Sequence, residues 1–291
     1  MKSDKYFIIL LGPTGVGKTD LLKKIANDMS IKDYVKIGID DYIEESNIFN
    51  KKILTFLHLI NDNIKISINK ITSIINGNSK TRKELITDIF NNMYYSSKND
   101  NCMPVSKLVC NNIHDKDINK YVIQEKNIFL ELNGENDFTW FFGSDKFIEG
   151  GYYTKKAVNI LNTKYKKIIV YCGTKYEDLI ISNENRFINN LNKCTNVKCN
   201  ARLGNFLIES IYSKILKNII LRLKNDYHKL VNKYKCKIMI YKRENNSYSK
   251  ICYLKDPSIV YSNIFYEDNI RNRKHSRKTK KSRKSRKTKK R

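Results

Sequence analysis

The sequence predicts an α/β domain, a parallel sheet flanked by helices, with a helical insertion and a disordered basic C-terminal tail. Three observations predict it. An apolar run over residues 6–11 stops at Gly12 and passes through a glycine-rich turn into helix-spaced apolar residues from Lys18 onward. A second strand-like run, "YVKIGIDD", follows that helix, and a strand–loop–helix–strand opening implies a parallel pair. Residues 271–291 hold 14 lysines and arginines and no acid, a composition that cannot offset the entropy of ordering.

The turn after the first strand carries the chemistry. Gly12-Pro13-Thr14-Gly15-Val16-Gly17-Lys18-Thr19 satisfies GxxxxGK(S/T), with a strand before it and a helix after it. The chain has only 11 glycines, yet three fall in this turn. Glycines let backbone N–H groups turn inward around an anion, and the helix N-terminus adds its dipole. Lys18 is expected to reach the β- and γ-phosphates of ATP, and Thr19 to ligate Mg²⁺. Asp20 ends the stretch assigned to the nucleotide. The sheet is therefore expected to be of the P-loop NTPase type.

The other elements follow in order. The helix after the loop is predicted over residues 18–29, and the second strand ends at Asp40. Ile53, Leu57, Ile60, Ile64, Ile68, Ile71 and Ile75 recur in steps of three and four, which is helical spacing. Asn76-Gly77-Asn78-Ser79 closes that segment. Thr81-Arg82-Lys83-Glu84 has the form of a capping box and opens a further helix through Leu85, Ile89 and Met93. Residues 96–120 read as an irregular connection. "NIFLELNG" is a strand ending at Glu131, and "KKIIVYCG" another ending near Gly173. A long helical pattern runs from Phe206 to Leu223, and "CKIMIYKRENNSYSKICYL" reads as two short strands around a polar turn. This divides the chain into a P-loop domain over 1–234, with a mostly helical insertion at 44–120, a short strand-containing extension at 235–270 and the tail at 271–291.

Candidate site residues gather where strands end, because ligands in parallel sheets collect at the carboxyl ends. A carboxylate at Asp40 could accept the proton of an attacking hydroxyl or hold magnesium through water, and Asp41 suits a helix N-cap. Glu131 is either the acid of a Walker B-like strand or a solvated loop carboxylate. Arginines are sparse outside the tail of this lysine-rich chain, so Arg186 and Arg202 call for a reason. Guanidinium grips phosphate bidentately and stabilises transition-state charge; the alternative for each is a surface salt bridge. Trp140, the only tryptophan, sits in "DFTWFF" and either walls a pocket or packs in the core.

Composition narrows the field. No apolar run is long enough to span a bilayer, and the apolar stretch before Gly12 is too short for a signal peptide. The seven cysteines form no CxxC pair, and only Cys194 and Cys199 lie close together. They read as reduced thiols rather than a disulfide framework or zinc site, which implies a reducing, intracellular, cytoplasmic setting. The four isolated histidines supply no metal cage. Net charge is +27, but removing the tail's 14 from the 56 Lys+Arg leaves 42 against 29 acids, +13 for the body.

The order of these motifs resembles the zeta-toxin-like P-loop kinases. The matching parts are the Walker A loop, a strand ending "IDDY", a strand ending "ELNG" followed by Trp140, and "KYKKIIVYCG" followed by spaced arginines. The resemblance covers about residues 5–225. It implies that Asp40 is the base for a substrate hydroxyl, that Glu131 is the glutamate after the middle strand, and that Arg186 and Arg202 contact the transferred phosphate. It also implies a small-molecule acceptor, in the toxins of that family the sugar nucleotide UDP-N-acetylglucosamine. "GPTGVGKTD" resembles, in addition, the opening of tRNA dimethylallyltransferases (GPTASGKT), which bind a prenyl pyrophosphate in that loop; no matching acceptor motif follows Asp40. A third reading is a nucleotide-dependent protein that binds or packages nucleic acid.

The tail bears on those alternatives. Like charges spaced so densely repel and keep a chain extended, and each phosphate it neutralises on DNA or RNA releases counterions. The same run could serve as a nuclear-import address, a means of concentrating the enzyme in a particle, or a solubilising tail. Truncation after Ile270 is expected to leave small-molecule turnover intact and to remove most nucleic-acid binding at low salt, as read by a salt-titrated binding assay. Retained binding would make the basic body the nucleic-acid surface, and lost turnover would place the tail in the active site.

Overall fold

The structure is a computed structural model and describes residues 4–38, 41, 47–77, 114–133, 155–199, 209–245, 247–252 and 256–267. Asp40, Trp140, Arg202, the helix expected from Thr81 onward and the basic tail lie outside the described residues.

Among the described residues six strands form one sheet in the order β2-β3-β1-β4-β5-β6. They are β1 (Tyr6–Gly12), β2 (Tyr34–Gly38), β3 (Asn127–Asn133), β4 (Lys166–Thr174), β5 (Lys237–Glu244) and β6 (Ser247–Ile251). The first five run parallel and β6 is antiparallel to β5. This is the α/β, P-loop NTPase-type architecture the sequence predicts. Strands covered on both faces read as continuous apolar runs, and "FIILL" in β1, "IFL" in β3 and "IIVYC" in β4 are buried throughout. β1 lies between β3 and β4, with Leu10 level with Glu131 on one side and Val170 on the other. The loop after β1 thus opens at the centre of the sheet's carboxyl edge, where ligands bind in such sheets.

Helix α1 (Lys18–Asp28) buries Leu21, Leu22, Ile25 and Ala26 against the sheet, the steps of a single helical face. The apolar period from Ile53 to Ile75 is carried by two helices, α2 (Asn47–Ile60) and α3 (Ile64–Asn76), rather than one. Asn63 stops the run: its side chain accepts from the backbone N–H groups of Lys65 and Ile66 and caps α3. Buried Ser67 then donates to the Leu57 carbonyl at 2.9 Å, tying α3 to α2. Spacing survives the break, so periodicity alone does not reveal it. Helix α4 (His114–Ile123) occupies part of the stretch expected to be irregular. It buries Ile118 and hands over to β3 through Glu125, whose φ of 51° makes the turn.

The second half comprises α5 (Lys155–Leu161), α6 (Tyr176–Leu191), α7 (Glu209–His228) and α8 (Pro257–Ser262). α7 continues as a π-helical turn over Lys229–Lys233, and α8 as one over Asn263–Glu267. Asp256 caps α8, accepting from the Ser258 N–H at 2.8 Å. Cys194 and Cys199, expected as thiols, are joined by a disulfide. A tight turn, with the Thr195 N–H donating to the Lys198 carbonyl at 2.8 Å, brings their Cα atoms to 4.1 Å. Among the described residues no helix is long and apolar enough to cross a membrane.

The hairpin expected between residues 236 and 254 is present as β5 and β6, and it is built into the main sheet. β5 pairs with β4 from Ile168–Lys237 to Thr174–Arg243. Beyond it, Tyr261 donates its hydroxyl to the Cys172 carbonyl at 3.2 Å. Phe265, 1% exposed, packs its ring under Gly173, where a Cβ would meet it at 2.8 Å. Phe265→Ala is therefore expected to destabilise the whole domain by about 3–5 kcal/mol, with one cooperative denaturation transition at a lower midpoint. An independent C-terminal unit would instead leave the main transition unmoved.

Candidate functional site

The loop between β1 and α1 has the backbone its glycines permit. Gly15 and Gly17 lie at φ of 85° and 80°, in the left-handed region. Between them, the Val16 N–H donates to the Pro13 carbonyl at 3.3 Å, and the Val16 side chain is fully buried. Gly17 is the N-cap residue of α1 and has no side chain with which to cap it, so the first-turn amides suit an anion. The Lys18 side chain is buried, with its ammonium donating to the carbonyls of Gly12 at 3.0 Å and Pro13 at 3.2 Å.

The ends of β3 and β2 supply the acidic side of the site. Thr19 donates its hydroxyl to Glu131 Oε1 at 3.0 Å, across 112 residues of sequence. Glu131 is 6% exposed, which removes the solvated-loop reading. Lys36 Nζ stands 3.9 Å from Glu131 Oε2 and 3.0 Å from Asp41 Oδ2. Asp41 folds back over Gly38, where a Cβ would lie 2.7 Å from its carboxylate. Lys18, Thr19, Glu131, Lys36 and Asp41 thus share one edge of the sheet. Thr19 and Glu131 are hard oxygen donors of the kind magnesium accepts. Among the described residues no group of three or more His, Cys, Asp or Glu could hold a metal by itself. A magnesium ion at Thr19 would draw its remaining oxygens from phosphate and water.

The opposite side of the loop is held by α6 and the β5–β6 hairpin. Asn183 Nδ2 donates to the Thr14 carbonyl at 3.1 Å, and Ser182 Oγ to the Gly15 carbonyl at 3.1 Å. Arg243 Nη1 donates to the same Gly15 carbonyl at 2.9 Å, and the Tyr248 hydroxyl to the Gly17 carbonyl at 2.7 Å. One turn beyond Ser182, Arg186 joins Arg243, Asp178, Asn185 and Lys193 around a cleft of about 570 Å³. Arg186 therefore comes to the loop's flank.

Two neutral groups lie within this cluster of charge. Burial pushes the Cys172 thiol up to about 12, against the pull of Lys18 and Arg243. Burial likewise pushes the Tyr248 phenol up to about 12, opposed by Arg243. Cys172 is thus a protonated core thiol at neutral pH rather than a nucleophile, and Tyr248 remains a hydroxyl donor.

Sequence reading did not find Ser182, Asn183, Lys36, Arg243 or Tyr248. Arg243 carried a usable signal, since it too is an arginine in a lysine-rich body. The others are residue types too common in this chain to stand out.

No family model matches the chain, and no curated protein matches it. Among solved structures it is similar to the PezAT chromosomal toxin–antitoxin system of the human pathogen Streptococcus pneumoniae. Identity is 15%, the match covers 91% of this chain and 79% of that one, and the TM-score is 0.43.

Glu131→Gln keeps the shape of the side chain and removes its charge from Thr19 and Lys36. It is expected to shift the Mg²⁺ dependence of nucleotide binding by roughly 10–100-fold, the usual cost of losing a partner of a metal ligand. A Mg²⁺ titration with the same midpoint as wild type would return Glu131 to a purely structural role.

Proposed function

We propose that the chain is an ATP-dependent phosphotransferase that moves the γ-phosphoryl group to a hydroxyl of a small molecule. The observation that carries this reading is the complete Walker loop between β1 and α1, with Thr19 hydrogen-bonded to the buried Glu131 at the end of β3. Phosphoryl transfer is catalysed mainly by positioning and charge neutralisation, and these residues are of the kinds that supply both.

In the proposed mechanism the loop amides and the N-terminus of α1 hold the phosphates. Lys18 exchanges its two carbonyl partners for β- and γ-phosphate oxygens. Thr19 would hold Mg²⁺, with Glu131 orienting the Thr19 hydroxyl, and the ion would supply charge neutralisation for the phosphates. Asp40 takes the proton of the acceptor hydroxyl. That assignment is supported by Asp41, whose carboxylate is engaged by Lys36 at 3.0 Å and is less suited to act as a base. Arg186 approaches the loop from α6 and, with Arg202, closes over the γ-phosphate. A sugar nucleotide is the acceptor suggested by the resemblance to zeta-toxin-like kinases.

An ATP-consumption screen across sugar nucleotides, nucleosides and RNA ends tests the reading. Turnover with a small-molecule hydroxyl supports it; prenyl transfer to tRNA, or hydrolysis stimulated only by nucleic acid, overturns it. With the acceptor in hand, Asp40→Asn is expected to cut transfer by roughly 10²–10⁴-fold while ATP binding persists. Asp41→Asn is expected to cost far less. Equal losses, or a larger loss at Asp41, would overturn the choice of base.

A further inference from the structure

We propose that the β5–β6 hairpin braces the phosphate-binding loop, with Arg243 and Tyr248 as positioning residues that hold the loop's backbone in the shape that receives the nucleotide's phosphates. This rests on the phosphotransferase reading only in taking the loop's ligand to be a nucleoside phosphate.

The reasoning starts from the peptide unit. In a trans peptide the carbonyl of one residue and the N–H of the next point in opposite directions within one plane. Holding a carbonyl on the outer side of the loop therefore aims the following N–H at the inner side. Three restraints of this kind occur here. Asn183 holds the Thr14 carbonyl and so directs the Gly15 N–H. Arg243 and Ser182 hold the Gly15 carbonyl, and the Val16 N–H of that plane is bonded to Pro13, so the plane is tied at both ends. The Gly17 carbonyl accepts from the Asp20 and Leu21 N–H groups of α1, both at 3.1 Å, and Tyr248 adds a third donor from the hairpin, fastening the plane that carries the Lys18 N–H.

The fit between hairpin and loop is close. A Cβ on Gly17 would overlap the Tyr248 hydroxyl, and its position lies 3.6 Å from Arg243 Nη1. A Cβ on Gly15 would overlap the Asn183 amide. These two glycines thus admit a left-handed backbone and the approach of the bracing side chains together. The brace also has a rigid foundation. Arg243 and Tyr248 are paired across the hairpin, and the buried Thr174 hydroxyl donates to the Arg243 carbonyl at 2.9 Å, fastening β5 to β4 beside the loop. The loop's shape is therefore set partly by residues more than 220 positions away in sequence.

The test is equilibrium binding of MgADP to the full chain by calorimetry, with thermal unfolding of the unliganded protein measured in parallel. Tyr248→Phe removes one hydroxyl and keeps the ring. Arg243→Lys keeps the charge and loses the planar fork. Each is expected to raise the MgADP dissociation constant by about tenfold, the equivalent of one net hydrogen bond, in protein that is still folded at the assay temperature. Lys18→Ala serves as the control that abolishes phosphate contact. If wild type binds MgADP, Lys18→Ala loses it and both hairpin variants bind like wild type, the brace is overturned and the phosphotransferase reading stands. A lowered unfolding midpoint with an unchanged dissociation constant also overturns it, because a merely structural contact behaves that way. If wild type itself does not bind MgADP, both the reading and the brace are overturned. Should one hairpin variant fail to fold, the other decides.

Discussion

A loop that binds an anion through its backbone must keep its N–H groups on one side and its carbonyls on the other. Those carbonyls are strong acceptors and must be satisfied as well. The rest of this structure depends on how that constraint is met. Gly12 and Pro13 give their carbonyls to Lys18, Pro13 also accepting from the Val16 N–H; Thr14 and Gly15 give theirs to α6 and the β5–β6 hairpin, and Gly17 gives its own to the first turn of α1 and to Tyr248. In the proposed mechanism the first pair is exchangeable, with Lys18 trading these carbonyls for phosphate oxygens. The second set lies on the far side of the loop and is anchored to the sheet. Both halves of the chain are needed, since the loop follows β1 and its supports follow β4 and β5.

The same requirement explains why the C-terminal elements sit where they do. Gly12 approaches the Cys172 carbonyl so closely that a Cβ would meet it at 2.7 Å. That carbonyl also accepts from Tyr261, and Phe265 packs under the neighbouring Gly173. The end of β4 is thus pressed between the phosphate loop and the final helical segment. Tyr212 adds a hydrogen bond to the Thr174 carbonyl at 2.7 Å, which ties α7 to the same strand end. On the acidic side, Lys36 reaches both Glu131 and Asp41, so the ends of β2 and β3 are coupled through one ammonium.

How much of this was legible depends on the range of the interaction. β1, the loop and α1 were read with nearly their observed bounds because glycine spacing and periodicity are local signals. β3 and β4 were read from buried apolar runs, and Glu131 from its place at a strand end. The break between α2 and α3 was missed because Asn61, Asp62 and Asn63 replace a turn of helix without disturbing the apolar spacing. The 235–270 stretch was set apart because no motif marks it, whereas its membership of the sheet is a matter of strand pairing. The bracing residues were missed for the same reason: Tyr248 finds Gly17 only through tertiary structure. The Cys194–Cys199 disulfide was also missed, because composition argued for reduced thiols and the turn that joins them is a matter of backbone geometry. Asp40 and Asp41 both follow β2 in sequence; of the two only Asp41 falls among the described residues, paired with Lys36 at 3.0 Å.

The central claim is that Lys18 and Thr19 change partners when a nucleoside triphosphate binds, while the loop's outer carbonyls keep theirs. A structure of the full chain with Mg²⁺ and a non-hydrolysable ATP analogue measures this directly. The account predicts that Lys18 Nζ leaves the Gly12 and Pro13 carbonyls for the β- and γ-phosphates and that the Thr19 hydroxyl turns to the metal. The Arg243–Gly15 and Tyr248–Gly17 hydrogen bonds are predicted to remain in place. A triphosphate bound away from the loop, or a Lys18 still on its two carbonyls beside bound analogue, would contradict it.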